Sequence, residues 1–70
     1  MVRMGTNHDD LLDPVESAAR YSIGMAQGVI AERYGVSIAS ADAVLALRAR
    51  AAGIPLVEAA RWLLTAGTLP

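Results

Sequence analysis

The sequence predicts an all-α fold in which one long helix precedes a hairpin of two shorter helices. Apolar residues recur at intervals of three and four through most of the chain, and alanine, a strong helix former, dominates them. Glycine and proline stand where these runs start or stop. No run alternates between apolar and polar residues in the way a strand does. We therefore expect a three-helix domain over residues 14–70, preceded by a flexible tail over residues 1–13.

The first predicted helix begins after Asp13 and ends at Gly35. Asp13 can cap the first turn, Pro14 suits the first helical position, and Gly35 is typical of a helix end. The helix has about twenty residues and is roughly 30 Å long. Its apolar stripe alternates between spacings of four and three, as in a coiled coil, through Ala19, Ile23, Ala26 and Ile30. A helix of this length extends beyond so small a domain unless another surface covers it.

The second and third predicted helices form the hairpin. The second starts at Ser37, which can cap its first turn, and runs to about Ala52, where Gly53 follows. The third starts at Pro55 and ends before Gly67. The predicted buried face of the second helix consists of Val44, Leu47 and Ala51, with Ala43 and Leu45 at its margins. The predicted buried face of the third helix consists of Leu56, Val57, Ala60, Leu63 and Leu64.

Two features of the predicted helices need a physical reason. Gly24 and Gly28 lie inside the first helix, where each costs about 1 kcal/mol relative to alanine. We expect the hairpin to pack closely against them; a partner helix or a nucleic-acid backbone is the alternative. Trp62 points away from the apolar stripe of the third helix, on the side of Glu58 and Thr65. Because Trp is a frequent interface anchor, Trp62 either contacts a partner or packs idly on the surface.

The charge of the chain is nearly balanced, with a formal net charge of -1. This argues against simple electrostatic adhesion to nucleic acid or to a membrane. The basic residues are all arginine, which suits phosphate binding and base stacking, although a GC-rich genome also explains the bias. No apolar segment reaches the ~20 residues of a membrane span, and residues 1–10 lack the apolar stretch of a signal peptide. A cytoplasmic protein without a membrane partner is the expectation.

The sequence carries no set of residues that predicts catalysis, a cofactor or a metal. It contains no cysteine and one histidine, His8, which lies beside Asp9 and Asp10 in the predicted tail. Three adjacent residues of a polar tail are far more often solvated than a metal site. No nucleophile and base stand at a spacing typical of an active site, and three thin helices leave little room for a ligand pocket of ~300 Å³. We expect a protein that is not an enzyme and takes no cofactor, metal or small-molecule substrate.

Four blocks of residues occur in a familiar order along the three predicted helices. The blocks are Ile23-x-x-Ala26-Gln27-Gly28-Val29-Ile30-x-Glu32-Arg33-Tyr34-Gly35-Val36-Ser37, then Asp42-Ala43-Val44, then Leu47-Arg48-x-x-Ala51, then Leu56-x-Glu58-x-Ala60. Each block alone is a weak signal, but the ordered set is more specific. Over residues 15–65 it resembles an ANTAR domain, the RNA-binding output module of bacterial transcription antiterminators.

The resemblance implies a three-helix unit whose first helix pairs with a second copy in a coiled-coil homodimer. It also implies that the dimer binds paired RNA hairpins in a nascent transcript and so favours antitermination. The residues placed at or near the dimer seam are Ala19, Ile23, Ala26 and Ile30. The residues assigned to RNA are Arg33, Ser37, Arg48 and Arg61, which would contact the backbone or loop bases, and Gln27, which would donate or accept a hydrogen bond. For any single arginine a solvated surface charge is the alternative.

Three features depart from the family pattern. The link Ala52-Gly53-Ile54-Pro55 is about two residues shorter than the family norm and lacks its polar, basic character. Gln27 stands where lysine is frequent, and Ser40 replaces the glutamate that is common after the capping serine. The receiver or sensor domain that usually precedes such modules is not recognisable, so a stand-alone module is the expectation.

Two other functions remain open at this point. The same helices can form a dimerisation or adaptor protein that pairs with itself or with related ANTAR-type regulators without binding RNA, which the low charge and Trp62 favour. A helix-turn-helix DNA binder with Ala52-Gly53-Ile54 as its turn is weaker, because its recognition helix would carry Glu58 and a single arginine, Arg61.

Overall fold

The structure, a computed structural model, describes residues 13–70 and contains three helices there. Helix α1 spans Pro14–Tyr34, α2 spans Ile38–Ala52 and α3 spans Leu56–Ala66. No strand occurs in these residues, and the predicted all-α fold of a long helix followed by a hairpin is confirmed. Except for Asp13, the tail predicted for residues 1–13 lies outside the described residues, as does the group of His8, Asp9 and Asp10.

The predicted capping residues act at the helix ends. The Asp13 carboxylate accepts a hydrogen bond from the Val15 N–H at 3.1 Å and so satisfies one of the free donors of the first turn of α1. Gly35 and Gly53 follow α1 and α2 with φ of 66° and 71°, a left-handed conformation that is costly for residues with a Cβ. The following N–H groups return to carbonyls of the last helical turn, so both turns are short.

One apolar core joins the hairpin to the C-terminal half of α1. Among residues 13–70, the fully buried side chains are Ala26, Ile30, Ala41, Leu45, Ala49, Ala59, Ala60 and Leu63. Most of them are alanine, so the three helices approach one another closely. The N-terminal half of α1 contributes no fully buried side chain: Ile23 packs against the edge of the core, whereas Val15 and Tyr21 are 75% and 69% exposed. This half extends beyond the hairpin, as its length predicts.

The buried face predicted for α2 is wrong in its orientation. Leu45, placed at the margin, is fully buried, whereas Leu47, placed in the core, is 62% exposed. Val44 is half-buried, and Ala43 and Ala51 are exposed. The true face has a uniform spacing of four residues through Ala41, Leu45 and Ala49. Because alanine occupies so many positions of α2, stripes that differ by a rotation of the helix are almost equally apolar, and the sequence pattern does not distinguish them.

The buried face predicted for α3 is largely confirmed. Ala60 and Leu63 are buried, and Leu56 and Val57 are half-buried. Leu64 was predicted to be buried but is 37% exposed and lies outside the core. Ala59, which was not predicted to be buried, belongs to the core instead. Trp62 is 51% exposed, on the outer side as expected.

Candidate nucleic-acid interface

Two of the arginines assigned to RNA meet on one short segment, residues 67–70, which we call the strap. It follows α3 after Gly67, whose φ of 84° turns the chain back. Arg33, in the last turn of α1, donates from Nη1 to the Gly67 carbonyl oxygen at 2.7 Å. Arg48 of α2 donates from Nη1 to the backbone oxygen of Pro70 at 3.1 Å. Since these acceptors are three positions apart in the chain, the two guanidinium groups lie no more than about 17 Å apart.

An apolar groove of about 240 Å³ lies beside Arg48 and Leu69 of the strap. Its lining residues are Ile30, Tyr34, Val36, Val44, Arg48 and Leu69. The Tyr34 side chain is 59% exposed, which leaves its ring available at the edge of the groove. A cation beside an aromatic ring and apolar walls is the combination that stacks and hydrogen-bonds unpaired bases. A second groove, of about 230 Å³, lies near the end of α2 and is lined by Ala46, Ala49, Arg50, Ile54 and Leu56.

The other three residues assigned to RNA have separate partners. Gln27 donates from Nε2 to an Asp42 carboxylate oxygen at 2.7 Å, which ties α1 to α2. Arg61 pairs with Glu58 one turn earlier on α3 at 3.4 Å, and both side chains are 52% exposed. Such a solvated pair adds little stability. The structure therefore brings Arg33 and Arg48 together on the strap, while Gln27, Arg61 and Ser37 make contacts elsewhere.

Ser37 acts as the N-cap of α2. Its hydroxyl oxygen accepts a hydrogen bond from the Ser40 N–H at 3.0 Å, and the Ser37 hydroxyl donates to the Ser40 hydroxyl oxygen at 3.1 Å. Ser40 thus takes part in the cap although it replaces the glutamate of a capping box. Its assignment to RNA stays a prediction, because the capping role accounts for the hydroxyl.

Replacing Ser37 with alanine should lower the free energy of unfolding by about 1 kcal/mol, since an N–H of the first turn of α2 loses its acceptor. This corresponds to a fall in Tm of about 4–8 °C, measured by circular dichroism. Ser37→Asp keeps an acceptor and is the control, with a Tm near that of the wild type. An unchanged Tm in Ser37→Ala, together with weaker RNA binding, would assign the hydroxyl to RNA instead.

Two residues of this surface were missed by the sequence interpretation. Tyr34 belongs to the block that resembles ANTAR, but its exposure beside the groove depends on how α1 meets α2. Leu69 lies beyond the predicted third helix, and it is the strap residue whose side chain packs against the core. The signal that could have found it is an apolar residue shortly after the helix-ending Gly67.

The predicted reason for Gly24 and Gly28 is wrong. A Cβ atom placed on either residue would meet nothing within 4 Å, so the hairpin does not pack against them. They lie on the outer face of α1, which also carries Tyr21, 69% exposed, and Met25, 44% exposed. Of the four residues predicted to form the dimer seam, Ala26 and Ile30 are 0% and 1% exposed within one chain. Those two side chains contact the hairpin, because the apolar stripe of α1 faces its own α2 and α3.

The described helices are also too short or too polar to cross a lipid bilayer.

Comparison with known proteins gives one finding and two negative results. Neither the curated proteins nor the solved structures include a significant match to the chain. The model of the ANTAR domain family matches residues 16–64, which is more than two thirds of the 70 residues and includes α2 and most of α1 and α3. The match includes Arg33, Arg48 and the outer face of α1, whereas the strap lies beyond it. The chain belongs to the ANTAR domain family, whose members are RNA-binding regulators of transcription antitermination.

Proposed function

We propose that this protein is an RNA-binding regulator of transcription termination that acts as a homodimer on hairpins of nascent transcripts. The observation that carries the proposal is that Arg33 and Arg48 both bind the strap, and that Arg48 lines a groove with the exposed ring of Tyr34. Guanidinium groups bind phosphates with paired N–H donors, and an aromatic ring accepts the face of an unpaired base. The family membership supports RNA as the ligand.

The low net charge of the chain is compatible with RNA binding because the proposed binding surface is small and needs only a few positive charges. A chain with a formal net charge of -1 does not attract RNA over long distances, so its affinity depends on a few contacts with defined geometry. A hairpin loop offers such contacts, since its bases are unstacked and its phosphates are closely spaced. We therefore expect RNA binding to depend only modestly on salt, with a small slope of log K against log salt that is set by the few phosphates that the arginines neutralise.

Replacing Arg48 with alanine should weaken binding to a paired-hairpin RNA about tenfold, which is a loss of about 1.4 kcal/mol. Because one phosphate contact disappears, the slope of log K against log salt should fall by about 0.7–0.9. The measurement is a fluorescence-anisotropy titration over a salt series, with duplex DNA of equal length as the competing ligand. A protein that binds no RNA below the micromolar range, or prefers the DNA, would contradict the proposed function.

Arg20→Ala is the matched control for this measurement. The Arg20 side chain is exposed and has no hydrogen-bond partner among residues 13–70, and Arg20 lies thirteen residues before Arg33 on α1. That separation places it roughly 20 Å along the helix from the arginine pair. The variant removes the same charge, so we expect less than a twofold change in affinity. Equal losses for Arg48→Ala and Arg20→Ala would mean that only total charge matters.

The homodimer is part of the proposal, with a seam that differs from the one predicted from the sequence. Ala18, Tyr21, Met25 and Gly28 follow spacings of three, four and three on the outer face of α1, which is the pattern of a coiled-coil seam. All four lie away from the hairpin, and Gly24 and Gly28 leave room for the backbone of a second helix. Ala19 and Ile23, which are half-buried, lie on the opposite side of α1, in line with the core residues Ala26 and Ile30.

A helical adaptor that pairs with related regulators is the second candidate function. The exposed apolar side chains of Tyr21, Met25 and Trp62 favour this function. Large apolar and aromatic side chains of this kind are typical anchors of protein–protein interfaces. Trp62 stays a predicted anchor on the outer side of α3. A stable dimer that binds no hairpin RNA would support the adaptor, and a loss of partner binding in Trp62→Ala would assign that residue to it.

A further inference from the structure

One side chain of the strap, that of Leu69, packs against the apolar core. Leu69 is half-buried, packs against the core and lines the groove with Tyr34 and Val44, whereas Thr68 is exposed. The other contacts of the strap described above are the hydrogen bonds from Arg33 and Arg48. Gly67 is also tied to α3, because its N–H donates to the Leu63 carbonyl oxygen at 2.8 Å, and Pro70 is half-buried. Since exposed hydrogen bonds alone hold a short segment weakly, the burial of Leu69 helps to fix the path of the strap between its two backbone acceptors.

We propose that Leu69 is a positioning residue for RNA binding, which orients Arg33 and Arg48 by holding the strap between them. This inference rests on the proposed function. Arginine side chains have many rotamers, and binding is weakened when they must be ordered at the moment of contact. The strap supplies an acceptor for each guanidinium before the ligand arrives, and therefore lowers that cost.

The geometry favours orientation over masking of the arginines. Each guanidinium has five N–H donors, and the described bond to the strap uses one of them. The Gly67 carbonyl carries no charge, so Arg33 keeps its full positive charge. The side-chain ion pair in residues 13–70 belongs to Arg61 and Glu58, away from the strap. Both Arg33 and Arg48 stay exposed, with donors left for a phosphate.

The test compares Leu69→Ala with Leu69→Met in the full chain. Leu69→Ala should raise the Kd for a paired-hairpin RNA about fivefold to tenfold, because the strap loses its anchor. The salt slope should stay at the wild-type value, since the same phosphates are still contacted once the complex forms. Leu69→Met fills the groove with similar volume and should restore the affinity. In an Arg33→Ala/Arg48→Ala background, Leu69→Ala should have no further effect.

A second measurement needs no RNA. Nitrogen-15 relaxation of the arginine Nε–H groups reports their mobility on the picosecond to nanosecond timescale. In the free protein, Leu69→Ala should lower the order parameters of Arg33 and Arg48 and leave that of Arg20 unchanged. The helical circular dichroism signal should be the same in Leu69→Ala and Leu69→Met as in the wild type. This control separates a loss of arginine positioning from unfolding of the domain.

Three results would overturn the inference. Tighter RNA binding by Leu69→Ala would show that the strap masks the arginines, and unchanged binding would show that it does not orient them. Unchanged order parameters of Arg33 and Arg48 in Leu69→Ala would show that Leu69 does not order these two side chains. If the wild-type protein does not bind RNA, the proposed function fails as well, whereas RNA binding that is unaffected by Leu69→Ala overturns the positioning role alone.

Discussion

Replacing Leu45 with alanine is expected to destabilise the domain by about 3 kcal/mol, because the side chain is 0% exposed and leaves a cavity in the core. A single core of this size supplies only about 3–5 kcal/mol of stability, so the variant should be close to unfolding at room temperature. Urea denaturation followed by circular dichroism at a fixed protein concentration measures the change, since a dimer would make the midpoint depend on concentration.

Leu47→Ala is the matched control, with the same substitution on the same helix. Leu47 is 62% exposed, so its loss should change the free energy of unfolding by no more than about 0.5 kcal/mol. The pair distinguishes the observed orientation of α2 from the one that the sequence pattern suggested. A large loss in Leu47→Ala and a small one in Leu45→Ala would show that α2 is rotated in solution.

The double replacement Tyr21→Glu and Met25→Glu should abolish the proposed dimer, raising its Kd at least about 100-fold. Both side chains are exposed in one chain, so the change leaves the core intact, but across a two-fold seam it places four like charges in an apolar contact. Sedimentation equilibrium over a concentration series measures the dissociation constant. Affinity for a paired hairpin should fall with it, because two linked sites no longer act together, while binding to a single hairpin should persist.

Val15→Glu controls for the added charge. Val15 is 75% exposed and lies on α1, but about 120° around the helix from Tyr21. The dimer should survive this change. A wild-type protein that is monomeric at tens of micromolar, or a double variant that stays dimeric, would contradict the proposed seam.

The helix ends of this protein are predictable from sequence because their chemistry is local. Asp13, Ser37 and the glycines at 35, 53 and 67 each act on residues within one turn, so the pattern around them contains the necessary information. The same is true of the length of α1 and hence of its extension beyond the hairpin. The family follows from the order of several short blocks, and the family model bears this out.

Features that depend on contacts between helices are less predictable. The stripe of Ala26 and Ile30 is apolar whether it faces a second copy or its own hairpin, and only the packing of α2 and α3 decides between them. Gly24 and Gly28 show that a glycine in a helix lets another element come close, but the sequence does not show which element that is. The strap contacts join residues 22 and 34 positions apart, through side chains long enough to reach many acceptors. No local pattern specifies such bonds.

The abundance of alanine in the interior limits how this molecule can change. Of the eight side chains buried in residues 13–70, five are alanine, and a larger residue at any of them would force the helices apart. Adaptation to a new binding partner must therefore arise on the exterior, where arginine, tyrosine and tryptophan side chains can change without disturbing the core. Helix spacing would stay constant through such change, so variants that bind different partners should share nearly identical backbones.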